Sequence, residues 1–248
     1  MFFKQYKEKR NRIKDLKQVR YLLNSHQKEL LHKKSELPVD VFDVTEFFFR
    51  QNAELFDSIA TLHKGGHFQS CVILARTLIE NSINLQYIYR EDHEQRAKNF
   101  KLFTLKQYVG RSDIVGDFLG KRELIDSINN ILKDYNPTGK HKSHWDGRSF
   151  KYICDELKMD STYKAVYSRL SEYSHSGFTR RFDYSEPGPY NDFLRLLVFR
   201  YSILMTAQTL KDINQKYDLL VGFMIITDYP DSHSDLLFSF SNTRHEQQ

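Results

Sequence analysis

Apolar residues in this chain recur at helical spacing over long stretches and almost never at alternate positions, which limits the fold to packed helices. The clearest case is a pair of stretches on either side of Gly65-Gly66. Over 39–63, Val41, Val44, Phe48, Leu55, Ile59 and Leu62 share one helical face. Over 67–90, Phe68, Cys71, Val72, Ala75, Leu78, Ile79, Ser82, Ile83 and Tyr87 do the same. The glycine pair between them reads as the stop of the first helix, because a helix end favours a residue that tolerates positive φ.

Further helices are expected over about 94–109, 119–135, 149–158, 161–175 and 190–218. They are separated by breakers such as Asn136-Pro137-Thr138-Gly139, Ser176-Gly177 and Pro187-Gly188-Pro189. Val221 to Ile226 reads equally as a short strand or a helix extension. The expected fold class is all-α: an irregular helical bundle with long central helices and an N-terminal basic helix. The expected organisation is a basic helical arm at 1–36, a bundle domain at 37–220 and a tail at 221–248.

The charge is concentrated at one end. Residues 1–36 hold eleven Lys/Arg against four Asp/Glu, and the rest of the chain is close to neutral. Within the arm, Ile13, Leu16, Val19, Leu23 and Leu30 form a stripe at helical spacing, and basic residues fill the other face. Two readings stand side by side. Lys7, Arg10, Lys14 and Lys17 would contact nucleic-acid phosphates or an acidic partner. Alternatively, the arm is a docking helix whose charges are simply solvated.

Cys71 and Cys154 are too few for a disulfide framework and read as buried free thiols in a reducing compartment. The N-terminus is charged from Lys4 onward and shows no apolar leader, and the most apolar stretch, Phe193 to Ala207, is interrupted by Arg195 and Arg200. A cytoplasmic protein that does not enter the membrane is therefore expected.

The common signatures of phosphate-binding loops, dinucleotide folds, serine hydrolases and zinc proteases are missing. The pairs His63/His67 and His141/His144 lack the further ligands a zinc site needs, so no metal and no cofactor is expected. Arg76 and Glu80 stand one turn apart on an otherwise apolar helix. They form either a structural ion pair or the wall of a cleft in which Arg76 holds an anion. Arg169 and His175 combine a fixed cation with a group that titrates near neutrality. That pairing suits metal-free RNA cleavage, with His175 moving protons and Arg169 neutralising the phosphate in the transition state. The rival reading of His175 is a buried, hydrogen-bonded helix cap.

Three segments carry a resemblance: Arg76-Thr-Leu-Ile-Glu80, Trp145-Asp-Gly-Arg-Ser149 and Tyr167-Ser-Arg-Leu-Ser-Glu-Tyr-Ser-His175. In order and spacing they resemble a family of bacterial proteins of uncharacterised function, over about residues 40–215. That family is similar to the HEPN superfamily (higher eukaryotes and prokaryotes nucleotide-binding domains). The resemblance implies a dimeric, metal-independent ribonuclease or toxin-type effector of a bacterial defence or toxin–antitoxin system. It makes Arg169 and His175 the catalytic pair, with Arg76, Glu80, Tyr167 and Ser171 in support, and implies RNA, a second copy of the chain and a protein from the same operon as partners. One departure is visible. Leu170 follows Arg169 where the superfamily commonly has Asn, Asp or His, and the nearer family singles out Leu170, Ser171 and His175. The alternative is a non-catalytic helical scaffold or sensor that binds a protein.

Overall fold

The structure, a computed structural model, describes residues 19–112, 122–133, 144–160, 163–168, 170–171 and 189–217. These residues form seven α-helices and no strand. Helix α1 covers 19–32 and runs into a 3₁₀ turn at Lys33–Glu36. It is followed by α2 (Val39–Lys64), α3 (Phe68–Arg90), α4 (His93–Ser112), α5 (Arg122–Leu132), α6 (Phe150–Glu156) and α7 (Pro189–Tyr217). A single π-helical turn occupies Tyr163–Tyr167, inside the stretch expected as ordinary helix.

Helix α3 is the centre of the bundle. It packs against α2, α7, α4, α6 and the π turn. Its sequence explains this position, because apolar residues ring it more than halfway round: Leu85 and Ile88 are as deeply buried as Leu78, Ile79 and Ile83 on the expected face. A helix apolar on most sides has to be surrounded. Of the 23 residues from Phe68 to Arg90, thirteen are buried, and Arg76 and Glu80 are half-buried among them.

Helix α2 ends as its sequence requires. Gly66 has φ +80, its N–H reaches the His63 carbonyl at 3.3 Å, and the His67 N–H reaches Leu62 at 2.9 Å. This is a Schellman closure with glycine at the left-handed position. Helix α7 starts at Pro189, whose missing N–H costs nothing in the first turn.

Helix α1 docks on the body. Val19, Leu22, Leu23 and Leu30 are buried, and His26 is buried among them. Arg20 also pairs with Asp57 of α2 at 2.6 Å, and the Lys34 ammonium sits over the Phe42 ring at 5.6 Å. Residues 19–32 thus follow the docking reading of the arm. Ile13, Leu16, Lys7, Arg10, Lys14 and Lys17 lie outside the described residues, as does 221–226. Both cysteines are free and buried, as expected, and burial pushes the Cys154 thiol up to about 12. No helix among the described residues is long and apolar enough to cross a membrane.

Candidate functional site

Arg76 and Glu80 project from α3 toward the π turn. Their side chains keep only 24% and 34% of their surface exposed. The Arg76 Nε donates to the Ser171 Oγ at 2.9 Å, and its Nη2 donates to the Tyr167 hydroxyl at 3.0 Å. The guanidinium also lies over the Tyr167 ring, 5.2 Å from its centroid. The Glu80 carboxylate is 3.8 Å from Nη2, too far for a hydrogen bond. Two neutral hydroxyls, rather than a close carboxylate, therefore hold this cation. Arginine has five N–H donors, and among the described residues Ser171 and Tyr167 take two of them.

The electrostatics agree with the geometry. Burial raises the Glu80 carboxyl, and the Arg76 charge and the Tyr167 hydroxyl only partly offset it. Burial also raises the Tyr167 hydroxyl, with the nearby Glu80 adding to the effect. The pair is therefore unequal: a guanidinium beside a carboxyl whose charge burial disfavours.

The Tyr167 ring is fixed from two sides. Phe150 of α6 lies 4.5 Å away and Tyr163 stacks at 5.6 Å. A π turn inserts an extra residue per turn and so re-aims the side chains that follow it. Here it precedes Ser168, Leu170 and Ser171, and Leu170 is fully buried. The four residues expected to support a site, Arg76, Glu80, Tyr167 and Ser171, are thus brought together across more than ninety positions of sequence. Arg169 and His175 lie outside the described residues.

The second sequence segment docks farther along α3. The Trp145 indole N–H donates to the Asn84 Oδ1 at 3.0 Å, and the Tyr87 hydroxyl donates to Asp146 at 3.2 Å. Gly147, at φ 71, turns the chain so that Arg148 can bond both Asp146 and Glu156, the latter at 3.2 Å. Arg96 then bridges to Glu156 at 3.5 Å and donates to the Tyr87 carbonyl at 2.6 Å, its guanidinium 3.9 Å above the Tyr87 ring. The sequence does not show Asn84 as the acceptor for the only tryptophan. Its position at a buried helical site, where an amide needs a partner, is the one available signal. Ser149 caps α6 by accepting from the Tyr152 N–H at 3.2 Å.

A protein-family model described as "Family of unknown function (DUF5677)" matches residues 43–188. The matched span contains all three segments and excludes α1 and the whole of α7. No curated protein matches the chain, and no solved structure does.

Proposed function

The chain belongs to this family of unknown function, and from its site we propose a metal-independent, HEPN-like endoribonuclease or toxin-type effector of a bacterial defence or toxin–antitoxin system. The observation that carries the reading is the half-buried Arg76 guanidinium, held by the hydroxyls of Tyr167 and Ser171 with no carboxylate of the described residues within hydrogen-bonding distance. A cation kept in that state favours an anion such as a phosphodiester. Tyr167 and Ser171 flank Arg169, and His175 follows four residues after Ser171.

In this reading His175 takes the proton of the ribose 2′-hydroxyl as that oxygen attacks the adjacent phosphorus. The bond from phosphorus to the 5′-oxygen breaks, and His175 returns a proton to the leaving oxygen. The products are a 2′,3′-cyclic phosphate and a 5′-hydroxyl. Arg169 stabilises the charge that grows on the phosphoryl oxygens, and Arg76 with Ser171 holds the segment in register. A second copy of the chain completes the groove, and a protein from the same operon restrains it.

The rival reading is a non-catalytic scaffold. It is favoured by the same contacts, since Arg76, Tyr167 and Ser171 also serve as a clasp between α3 and the π turn. One experiment separates the two. Purified full-length protein is incubated with RNA in excess chelator and the fragment ends are analysed, alongside His175→Ala, Arg169→Ala and Arg76→Lys variants of equal melting temperature. We expect fragments with 2′,3′-cyclic phosphate ends, and a loss of roughly 100-fold or more in rate in His175→Ala. Intact RNA in the wild type, or cleavage indifferent to His175, would overturn the ribonuclease in favour of the scaffold.

A further inference from the structure

A cleft of about 520 Å³ opens where the C-terminal ends of α3, α6 and α7 come together, and it shares no residue with the Arg76 cluster. Gln86 and Arg90 of α3, Lys158 just beyond α6, and Asp212, Gln215 and Lys216 of α7 line it. Two of these side chains carry buried polar atoms without a hydrogen-bond partner among the described residues: the Gln86 Nε2 and the Asp212 Oδ2. Buried amides and carboxyls in folded proteins are nearly always satisfied, so two orphans on one cleft call for an explanation.

Lys158 supplies a second, independent sign. Helix α6 closes with the same Schellman motif as α2. The Lys158 N–H bonds the Asp155 carbonyl at 3.0 Å, and the Met159 N–H bonds Cys154 at 2.7 Å. The left-handed position, glycine in α2, is here a lysine at φ 58. A side chain there strains the backbone, and such strain persists at ligand sites because the side chain is needed.

Charge points to the ligand. Arg90, Lys158 and Lys216 face one acid, Asp212. Cations gather at helix C-termini without any ligand, and that accounts for Arg90, which donates to the Glu156 carbonyl. It explains neither the strained backbone at Lys158 nor the two orphaned atoms. Burial lowers the Lys216 ammonium with no carboxylate offsetting it, and its Nζ lies 5.8 Å above the Tyr89 ring. Burial raises the Asp212 carboxyl to about 7, outweighing the hydrogen bond that its Oδ1 accepts from Gln208 at 2.7 Å. Near pH 7 the acid is thus only partly ionised and repels an anion less than a fully charged carboxylate does.

We propose that this cleft binds a phosphate-bearing small molecule, with Lys158, Lys216 and Arg90 holding the phosphate and the Gln86 amide and Asp212 carboxyl meeting its polar edge. Its volume suits a ligand of mononucleotide size. Three cations set on three elements match a group that offers acceptors in several directions, which a planar carboxylate does not.

The test is calorimetric titration of the full chain with inorganic pyrophosphate at constant ionic strength. We expect one saturable site. Affinity falls at least tenfold in Lys158→Gly and in Lys216→Gln, and holds in Arg50→Gln, which removes one exposed charge from α2. Lys158→Gly also melts higher, by about 2–4 °C, because glycine relieves the left-handed strain. A weaker ligand and a stronger fold from one substitution is an outcome that a purely structural lysine does not give. No saturable binding, or affinity unchanged from the wild type in Lys158→Gly and in Lys216→Gln, would overturn the site. Citrate binding as tightly as pyrophosphate would overturn its assignment to phosphate.

Discussion

His26 shows how one residue can report the docking of a whole element. It is buried under α1, and its Nδ1 lies 2.9 Å from the Leu22 carbonyl. A carbonyl only accepts, so Nδ1 carries a proton, and burial disfavours a second one on the ring. Burial lowers its pKa from the ordinary 6.5, more than the Leu22 and Leu210 carbonyls raise it. In the unfolded chain the ring charges near 6.5. A group with a depressed folded value contributes stability above the unfolded pKa and loses it as pH falls through the window below 6.5. The expected outcome is a drop in urea stability between pH 7 and pH 5 that shrinks in His26→Leu. If both proteins lose the same stability, the acid sensitivity lies in another group. The same residue shows a limit of sequence reading. Val19, Leu23 and Leu30 were legible as a stripe, but no local pattern marks the histidine between them as core. The Leu210 carbonyl of α7, far away in sequence, acts on its ring.

At the scale of elements, a buried polar knot joins α2, α3 and α7. The Asn52 Nδ2 donates to the Ser82 Oγ at 3.3 Å and the Thr209 Oγ1 at 3.1 Å, and the two hydroxyls are 2.8 Å apart. Ser82 also donates within reach of the Leu78 and Met205 carbonyls, at 2.8 and 3.3 Å. Three helices that could slide along apolar faces are held in one register by groups that must find each other. Ser82→Ala is expected to cost about 1–3 kcal/mol, because the Asn52 amide loses a buried partner. Adding Thr209→Val should cost less than the sum of the two single changes, since the residues share one network. Strict additivity in denaturant unfolding would mean that the knot does not act as a unit. Periodicity and breakers together place α2 to α7 within a few residues, and the apolar face that a 3.6-residue period exposes is plainest in α2 and α3. Periodicity counted Ser82 only as one more small residue of that face. Asn52 and Thr209 passed unnoticed, as partners 157 positions apart leave no local trace. The π turn at Tyr163–Tyr167 was read as ordinary helix, because an extra residue in one turn scarcely changes the apolar pattern. The Arg76–Glu80 pair was legible from its spacing on an apolar helix. Its partners Tyr167 and Ser171 came from family resemblance, and the hydrogen bonds between them from the fold.

Across the whole molecule, two kinds of surface are separated along the chain. The described parts of the three family segments gather on and around α3, inside the span 43–188 that the family shares. The excess positive charge lies outside that span, in residues 1–36. The proposed ribonuclease therefore divides its labour. The shared body would carry the chemistry, and the N-terminal charge would carry sequence-independent affinity for RNA. This division is testable because phosphate contacts release counterions. For single-stranded RNA the logarithm of the binding constant falls with the logarithm of salt at roughly 0.7 per phosphate neutralised. Replacing Lys7, Arg10, Lys14 and Lys17 together by Gln should lower that slope by about three. It should leave the cleavage rate at saturating RNA unchanged, since none of the four is placed in the catalytic machinery. The buried part of α1, from Val19 to Leu30, is untouched by the replacement, so a fall in melting temperature is not expected from it. An unchanged salt slope would show that these four side chains are only a solvated helix face, and would move RNA affinity, if the protein has it, onto the shared body.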